Sequence, residues 1–274
     1  MRLLMPRLAR QMEKDGTFDL DPAKMPESIR ILDNGADTTV FVFSGIDVLF
    51  AGFARYDFGL ILRHLRKKCN FVFLRDIHRM AYHMSPEGKW NGLDFYSGKI
   101  EEAKAQLGAK RNVALGSSSG GSAAFYFGTR CKMDKLIVFG PAFPHTVYTA
   151  WASRLRTFSN FRLLLTDPGT FFEMVAVTLG AADIVRKLSQ HFKQEEAWDI
   201  LEDYRRAEPR PPVTLFYGKR CRPDSQTARA LGVFPEVSLV PLDTGRHNTP
   251  EYLNNRKELG PRIVREVEAL VPQG

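Results

Sequence analysis

Six short apolar runs set the strongest limit on what this chain can fold into. They are "TVFVF" (Thr39 to Phe43), "FVFL" (Phe71 to Leu74), "VAL" (Val113 to Leu115), "LIVF" (Leu136 to Phe139), "VTLFY" (Val213 to Tyr217) and "VSLVPL" (Val237 to Leu242). They do not alternate apolar with polar residues, so they suit strands covered on both faces. Helical spacing lies between them. Phe58, Ile61, Leu62 and Leu65 follow the first run; Ile100, Ala103 and Leu107 precede the third. A short helix is expected from about Gln226 to Leu231, and a last one carries Ile263, Val264, Val267 and Leu270. Strands alternating with helices give an α/β protein, a mostly parallel doubly wound sheet with right-handed crossovers. In such sheets ligands bind beyond the carboxyl ends of the strands, so the loops after each strand are where chemistry belongs.

One interval breaks the rhythm. About 65 residues, 143–209, separate two strands where a few normally suffice. The interval reads as helical: Phe171, Phe172, Val175 and Leu179 share one spacing, and Ile184, Val185 and Leu188 another. The expected organisation is a core of 1–142 and 210–274 with a helical cap insertion at 143–209. The apolar face at Phe172 is either plain core or part of a substrate pocket.

Composition narrows the function classes. The net charge is +8, concentrated partly in "RHLRKK" (Arg63 to Lys68) and "GKRCR" (Gly218 to Arg222). These read first as solvated surface and second as an attractor of anionic ligands. No zinc-finger spacing or RNA-binding motif accompanies them, so nucleic acid is not the expected partner. No apolar run is long enough for a membrane span, and Pro6 and Arg7 break the apolar start, so neither a span nor a signal peptide is expected. The three cysteines, Cys69, Cys131 and Cys221, are far apart and odd in number. They suit reduced thiols in the cytoplasm and supply no metal or disulfide framework.

The chemistry points to "NVALGSSSGGSAAF" (Asn112 to Phe125), which leads from a strand into a helix. A flexible linker has no room there. A phosphate-binding loop fails because Ser122 and Ala123 stand where Lys and Ser/Thr are required after Gly121. A nucleophile elbow, G-x-S-x-G, fits. Its serine sits on a sharp strand-to-helix turn, and the residues two before and two after it come too close to carry side chains. Ser117 is flanked at those places by Leu115 and Ser119, and Ser119 by Ser117 and Gly121. Ser118 is flanked by Gly116 and Gly120 and is the expected nucleophile.

A serine hydroxyl needs a base and the base an orienting carboxylate, in the chain order Ser, acid, His for this architecture. Of the six histidines, only His247 follows the last strand. Asp224 follows the strand before it, with a helix N-cap as its alternative role; Asp243 and Glu236 are rivals for the acid. The oxyanion hole needs two backbone N–H donors. Ser119 supplies one. The loop "SGID" after the first run supplies the other, from Ile46 first and Gly45 second. "RDIHRMAYH" (Arg75 to His83) reaches the same rim. Arg79 and Tyr82, with Asp76 and His78, are candidate substrate contacts, and Asp76 can equally hold the loop.

On "GSSSG", Asp224 and "GRHN", in that order, the chain resembles the α/β-hydrolase superfamily from about Ile29 to Val271. "VFSGID", "FVFLRD", "ALGSSSGGSAAFYFG", "VFGPAF" and "RHN" are similar to bacterial hydrolase-like proteins found with capsule and glycan biosynthesis and accessory secretion. The departures are the 143–209 insertion and the small Ser119 where many relatives carry a larger residue. The resemblance implies ester or thioester hydrolysis, or acyl transfer to a sugar or other alcohol by the same mechanism. Neither needs a cofactor, and each takes a small-molecule or glycan acyl substrate. A non-catalytic hydrolase-fold binding subunit is the third alternative.

Overall fold

The computed structural model describes residues 28–45, 58–59, 61–141, 164–165, 168, 171, 186–192 and 200–270. Among these, seven strands form one sheet: β1 (Ile29–Leu32), β2 (Thr38–Phe43), β3 (Asn70–Leu74), β4 (Arg111–Ser117), β5 (Lys135–Phe139), β6 (Val213–Gly218) and β7 (Val237–Leu242). Their order is β1-β3-β2-β4-β5-β6-β7. All neighbours run parallel except β1, which pairs antiparallel with β3 at the edge. The six strands expected from the apolar runs are all present.

The helices whose bounds lie among the described residues are α1 (Gly92–Leu107), α2 (Ser119–Arg130), α3 (Ile200–Arg206), α4 (Arg222–Leu231), α5 (Thr249–Asn255) and α6 (Leu259–Glu268), with a 3₁₀ turn at Ile61–Leu65. Because strand side chains alternate in direction, the sheet feeds two cores. Phe41, Phe43, Val72, Leu74, Ala114 and Val138 pack with α1, α2, α3 and α4 on one face. Val40, Val42, Phe71, Phe73, Leu115 and Ile137 pack with the 3₁₀ turn, α5 and α6 on the other. Every residue of β2 and β3 is buried. That is why these runs are apolar without alternation.

Two expectations change. The helix after β6 begins at Arg222 rather than near Gln226, with Cys221 as its N-cap residue, so Asp224 lies inside the first turn and is not the cap. At the end of the expected cap, α3 belongs to the core: Ile200 and Tyr204 are buried, and Tyr204 meets the ring of Phe125 on α2 at 4.8 Å. Of the remaining insertion, the described pieces at 164–165, 168, 171 and 186–191 are helical. Phe172, Val175, Leu179, Ile184 and Val185 lie outside the described residues.

Strand order reverses between β2 and β4. β3 lies on one side of β2, whereas β4 and all later strands lie on the other. The carboxyl ends of β2 and β4 meet where Phe43 pairs with Gly116. A crevice at such a switch point is where open α/β sheets place their ligands. Ser118 follows directly.

Candidate active site

Between β4 and α2 the chain turns on one residue. Ser118 has φ 55° and ψ −123°, a conformation open to glycine and sparsely populated by other residues, costing about 1–3 kcal/mol. The turn is held from several directions. Ser118 N–H donates to Phe139 O on β5 at 2.9 Å, and Ser122 N–H donates to Ser118 O at 3.0 Å. The flanking glycines are steric requirements. A Cβ on Gly116 would stand 2.1 Å from Gly120 O, and one on Gly120 would stand 2.3 Å from Phe43 O. The strand, the helix and the end of β2 therefore close on each other only because both positions lack a side chain. Ser117 ends the strand and Ser119 opens the helix; neither takes the turn conformation.

Opposite Ser118 stands His247, in the loop between β7 and α5. Its Nε2 lies 2.9 Å from Ser118 Oγ, and its Nδ1 lies 2.7 Å from Asp224 Oδ1. His247 is 8% exposed and Asp224 is 2% exposed, so both partners are largely withdrawn from water. An ionised carboxylate only accepts hydrogen bonds, so the ring proton belongs on Nδ1 and Nε2 is left to accept from the serine hydroxyl. Asp224 Oδ2 accepts a further hydrogen bond from Gly218 N–H at 3.3 Å, at the end of β6. The loop bearing His247 is fixed beyond it by Asn248, the N-cap residue of α5, whose side chain accepts from Glu251 N–H at 3.2 Å.

A third glycine completes the enclosure. Gly140, directly after β5, has φ +45°, and a Cβ there would meet His247 O at 3.1 Å and Asp224 Oδ2 at 3.2 Å. In the sequence Gly140 is only the residue after the run Leu136 to Phe139. A glycine at a strand end carries no sign that two other loops will settle against it. Cys221 was also missed. It is buried, and one donor atom each from Cys221, Asp224 and His247 lie within 4.8 Å of one another.

The rivals for the acid are elsewhere. Asp243 is exposed and pairs with Lys219 at 3.3 Å and Arg220 at 3.4 Å. Glu236 precedes β7 at the far end of the sheet and pairs with Arg210 at 3.0 Å. Of the expected oxyanion donors, Ser119 opens α2 directly after Ser118. Gly45 borders the same turn: its N would lie 2.8 Å from a Cβ on Gly120. Ile46 lies outside the described residues, as does Phe172.

Tyr82 requires correction as a substrate contact. It is fully buried, its hydroxyl lies 3.0 Å from both Ser44 O and Leu74 O, and its ring packs edge-on against Phe43, Tyr96 and Phe127. It ties the ends of β2 and β3 together. Asp76 holds the same loop: its Oδ2 accepts from Tyr82 N–H at 3.0 Å, and burial pushes its carboxyl up to about 6. Arg79, Ala81 and Tyr82 all have positive φ, so the loop is strained where Asp76 gathers it. His78 is turned to Pro86 O at 3.1 Å, and Arg79 is partly exposed in this loop. His83 is buried against Met80 O and Ala81 O, and desolvation pushes its pKa down to about 4, which keeps it neutral. The segment 186–192 leans on this loop: His191 stacks on Trp90 at 4.1 Å, and Phe192 meets His83 at 5.3 Å.

No protein-family model and no curated protein matches the sequence. Solved structures do match in shape. The chain aligns with a protein of the Glycosylation Associate Protein (Gap123) complex from Streptococcus agalactiae at TM-score 0.55 and 16% identity over 89% of this chain, but spans only 44% of that one. It aligns with the capsule O-acetyltransferase of Neisseria meningitidis serogroup A at TM-score 0.52 and 15% identity, over 87% of this chain and 92% of that one. It aligns with proline iminopeptidase of Mycobacterium smegmatis at TM-score 0.54 and 10% identity, over 88% and 94%. The fold is that of the α/β-hydrolases.

Proposed function

We propose that this protein is a serine hydrolase that cleaves an ester or thioester through an acyl-enzyme on Ser118. The observation that carries the reading is the continuous hydrogen-bonded path from Ser118 Oγ through His247 to Asp224, at 2.9 and 2.7 Å, on a turn where serine adopts a glycine-like backbone. In this reading His247 Nε2 takes the serine proton as Oγ attacks the acyl carbon. Asp224 holds Nδ1–H and stabilises the imidazolium that forms. The tetrahedral oxyanion faces the start of α2, where Ser119 N–H is one donor and the loop of Gly45 and Ile46 supplies the second. His247 then returns its proton to the leaving alcohol or thiol, and water activated by the same ring releases the acid. No step calls for a cofactor. The part of the 143–209 insertion that precedes α3 is read as a cap that meets the rim through His191 and Phe192 and sets what enters.

A second reading, acyl transfer to a glycan or other alcohol, is favoured by the shape of the capsule O-acetyltransferase. The first half-reaction is unchanged; an alcohol replaces water in the second. A cytoplasmic setting is part of this reading; Cys69, Cys131 and Cys221 are all buried. Among the described residues no helix is long and apolar enough to cross a membrane. The test is incubation with short acyl esters, with and without sugar alcohols, reading free acid against transferred acyl group, beside fluorophosphonate labelling of Ser118. Labelling that misses Ser118, with no acid or acyl product, leaves the non-catalytic binding subunit.

A further inference from the structure

Cys221 caps α4 and stands three residues before Asp224. It is buried, is not in a disulfide, and shares with Asp224 and His247 a set of donor atoms all within 4.8 Å of one another. We propose that Cys221, Asp224 and His247 form a binding site for a thiophilic divalent cation, Zn²⁺ foremost, and that a cation bound there silences Ser118. The silencing rests on the function proposed above; the binding does not.

The donor chemistry selects the cation. A thiolate and a carboxylate together cancel the charge of a dication, which a buried site otherwise tolerates poorly. Sulfur, imidazole nitrogen and carboxylate oxygen are the ligand types of zinc, whereas magnesium and calcium take oxygen donors in larger shells. In tetrahedral zinc the metal lies about 2.3 Å from sulfur and about 2.0–2.2 Å from nitrogen and oxygen, so its donors sit roughly 3.3–3.6 Å apart. The donor atoms lie within 4.8 Å of one another, so no pair need close by more than about 1.5 Å to reach that spacing, while the 2.7 Å Asp224–His247 pair opens by less than about 1 Å. Both movements are ones that rotation of the three side chains must supply. Water fills the fourth position.

Proton bookkeeping explains the silencing. The imidazole nitrogen turned towards Asp224 is Nδ1, and in the resting arrangement it carries the ring proton. To bind a metal it must offer its lone pair instead, so that proton moves to Nε2. The Cys221 thiol releases its own proton to solvent. Nε2–H then donates to Ser118 Oγ at the contact where it formerly accepted. His247 has no lone pair left for the serine proton. The nucleophile is disarmed without leaving its place.

The test is a titration of the full chain with Co²⁺, which reports a bound thiolate by a sulfur-to-cobalt charge-transfer absorption. The wild-type protein should develop that band to saturation at one equivalent and lose it on adding Zn²⁺. Cys221→Ser and Cys221→Ala should abolish the band although Cys69 and Cys131 remain, and His247→Gln, which keeps the thiol, should weaken cobalt binding at least about tenfold. Zn²⁺ should slow fluorophosphonate labelling of Ser118 at least about tenfold in the wild type, and Cys221→Ser should raise the Zn²⁺ needed by a similar factor. Absence of the band in the wild type, or its survival in both Cys221 variants, overturns the site. A Cys221-dependent band with labelling indifferent to Zn²⁺ overturns the switch. A protein that shows the band but never labels at Ser118 refutes the proposed function and leaves the metal site standing.

Discussion

Gly140→Ala separates backbone strain from disturbance of the site. Gly140 has φ +45° and Gly88 has φ +78°; a Cβ on Gly88 meets nothing within 4 Å, whereas one on Gly140 meets His247 O at 3.1 Å, Asp224 Oδ2 at 3.2 Å and His247 Nδ1 at 3.5 Å. An L-residue in the left-handed region costs about 1–2 kcal/mol, so both alanine variants should lose similar stability. For a chain of this size that is about 2–8 °C in Tm. Only Gly140→Ala must also push the Asp224–His247 pair, by a few tenths of an ångström, because its contacts are shorter than ordinary van der Waals spacing. If Ser118, His247 and Asp224 act as the proposed triad, complete loss of the acid's function costs about 10⁴ in kcat. Displacement without removal should cost about ten- to a hundredfold, roughly 1.4–2.8 kcal/mol. The assay is kcat and KM on a chromogenic short acyl ester, beside the rate of fluorophosphonate labelling at Ser118. The expected result is a fall in kcat and labelling rate with KM little changed for Gly140→Ala, and neither change for Gly88→Ala. Equal activity in the two variants at equal loss of Tm would refute the claim that Gly140 is kept bare by the His–Asp pair.

Ser118→Ala should lose about a thousandfold or more in kcat while the protein stays folded, measured by ester turnover and circular dichroism. Asp224→Asn and His247→Ala should each lower kcat far more than they change KM, and the double variant should lose little beyond the worse single one; near-additive losses would show that the residues do not act together. Gly120→Ala should yield little folded protein, since its Cβ would stand 2.3 Å from Phe43 O and 2.7 Å from Ser44 C, main-chain atoms that cannot rotate away. Burial raises the Asp76 carboxyl to about 6 against about 3.9 in the unfolded chain, so the folded state holds its proton between those values. Asp76 thus contributes stability that is present at pH 4 and lost as pH rises through 6, by about 3 kcal/mol. Asp76→Asn should therefore flatten the fall in Tm between pH 4 and pH 7, and an unchanged fall would remove Asp76 as its cause.

The central strands were legible because burial on both faces forces one composition. β2, β3, β5 and β6 are buried almost throughout, and the few buried polar residues they hold, Thr38, Thr39, Asn70 and Thr214, lie at or near the strand starts, so the apolar runs stand out against any neighbouring loop. β1 was not legible. "IRIL" is a four-residue antiparallel edge strand with an exposed Arg30, too short to show a period. The apolar spacing of Phe58 to Leu65 suggested a helix, yet among the described residues there is only a 3₁₀ turn at Ile61–Leu65. Leu62 and Leu65 are buried there, a spacing of three that serves a 3₁₀ turn as well as an α-helix. α4 started early because Pro223 occupies a first-turn position, where its missing N–H breaks no helical hydrogen bond.

At the site, the sequence yields whatever a local steric rule dictates. Ser118 could be chosen among three serines because the close approach of Gly116 to Gly120 is set by the turn itself, within five residues. His247 and Asp224 followed from chain order, since each strand end delivers its loop to one edge of the sheet. Tyr82 misled because the same edge also contains residues whose task is to tie loops together, and a tyrosine in such a loop reads alike in both roles. Gly140 and Cys221 were out of reach for a different reason. Each matters through residues more than seventy positions away or through a side-chain rotamer, and neither leaves a spacing behind. What joins them is the depth at which Asp224 and His247 are held. A pair buried that far needs a bare backbone on one side, which Gly140 supplies, and Cys221 stands on another. The enclosure that keeps the Asp224–His247 bond in register is thus the same one that brings a thiol within reach of both its partners.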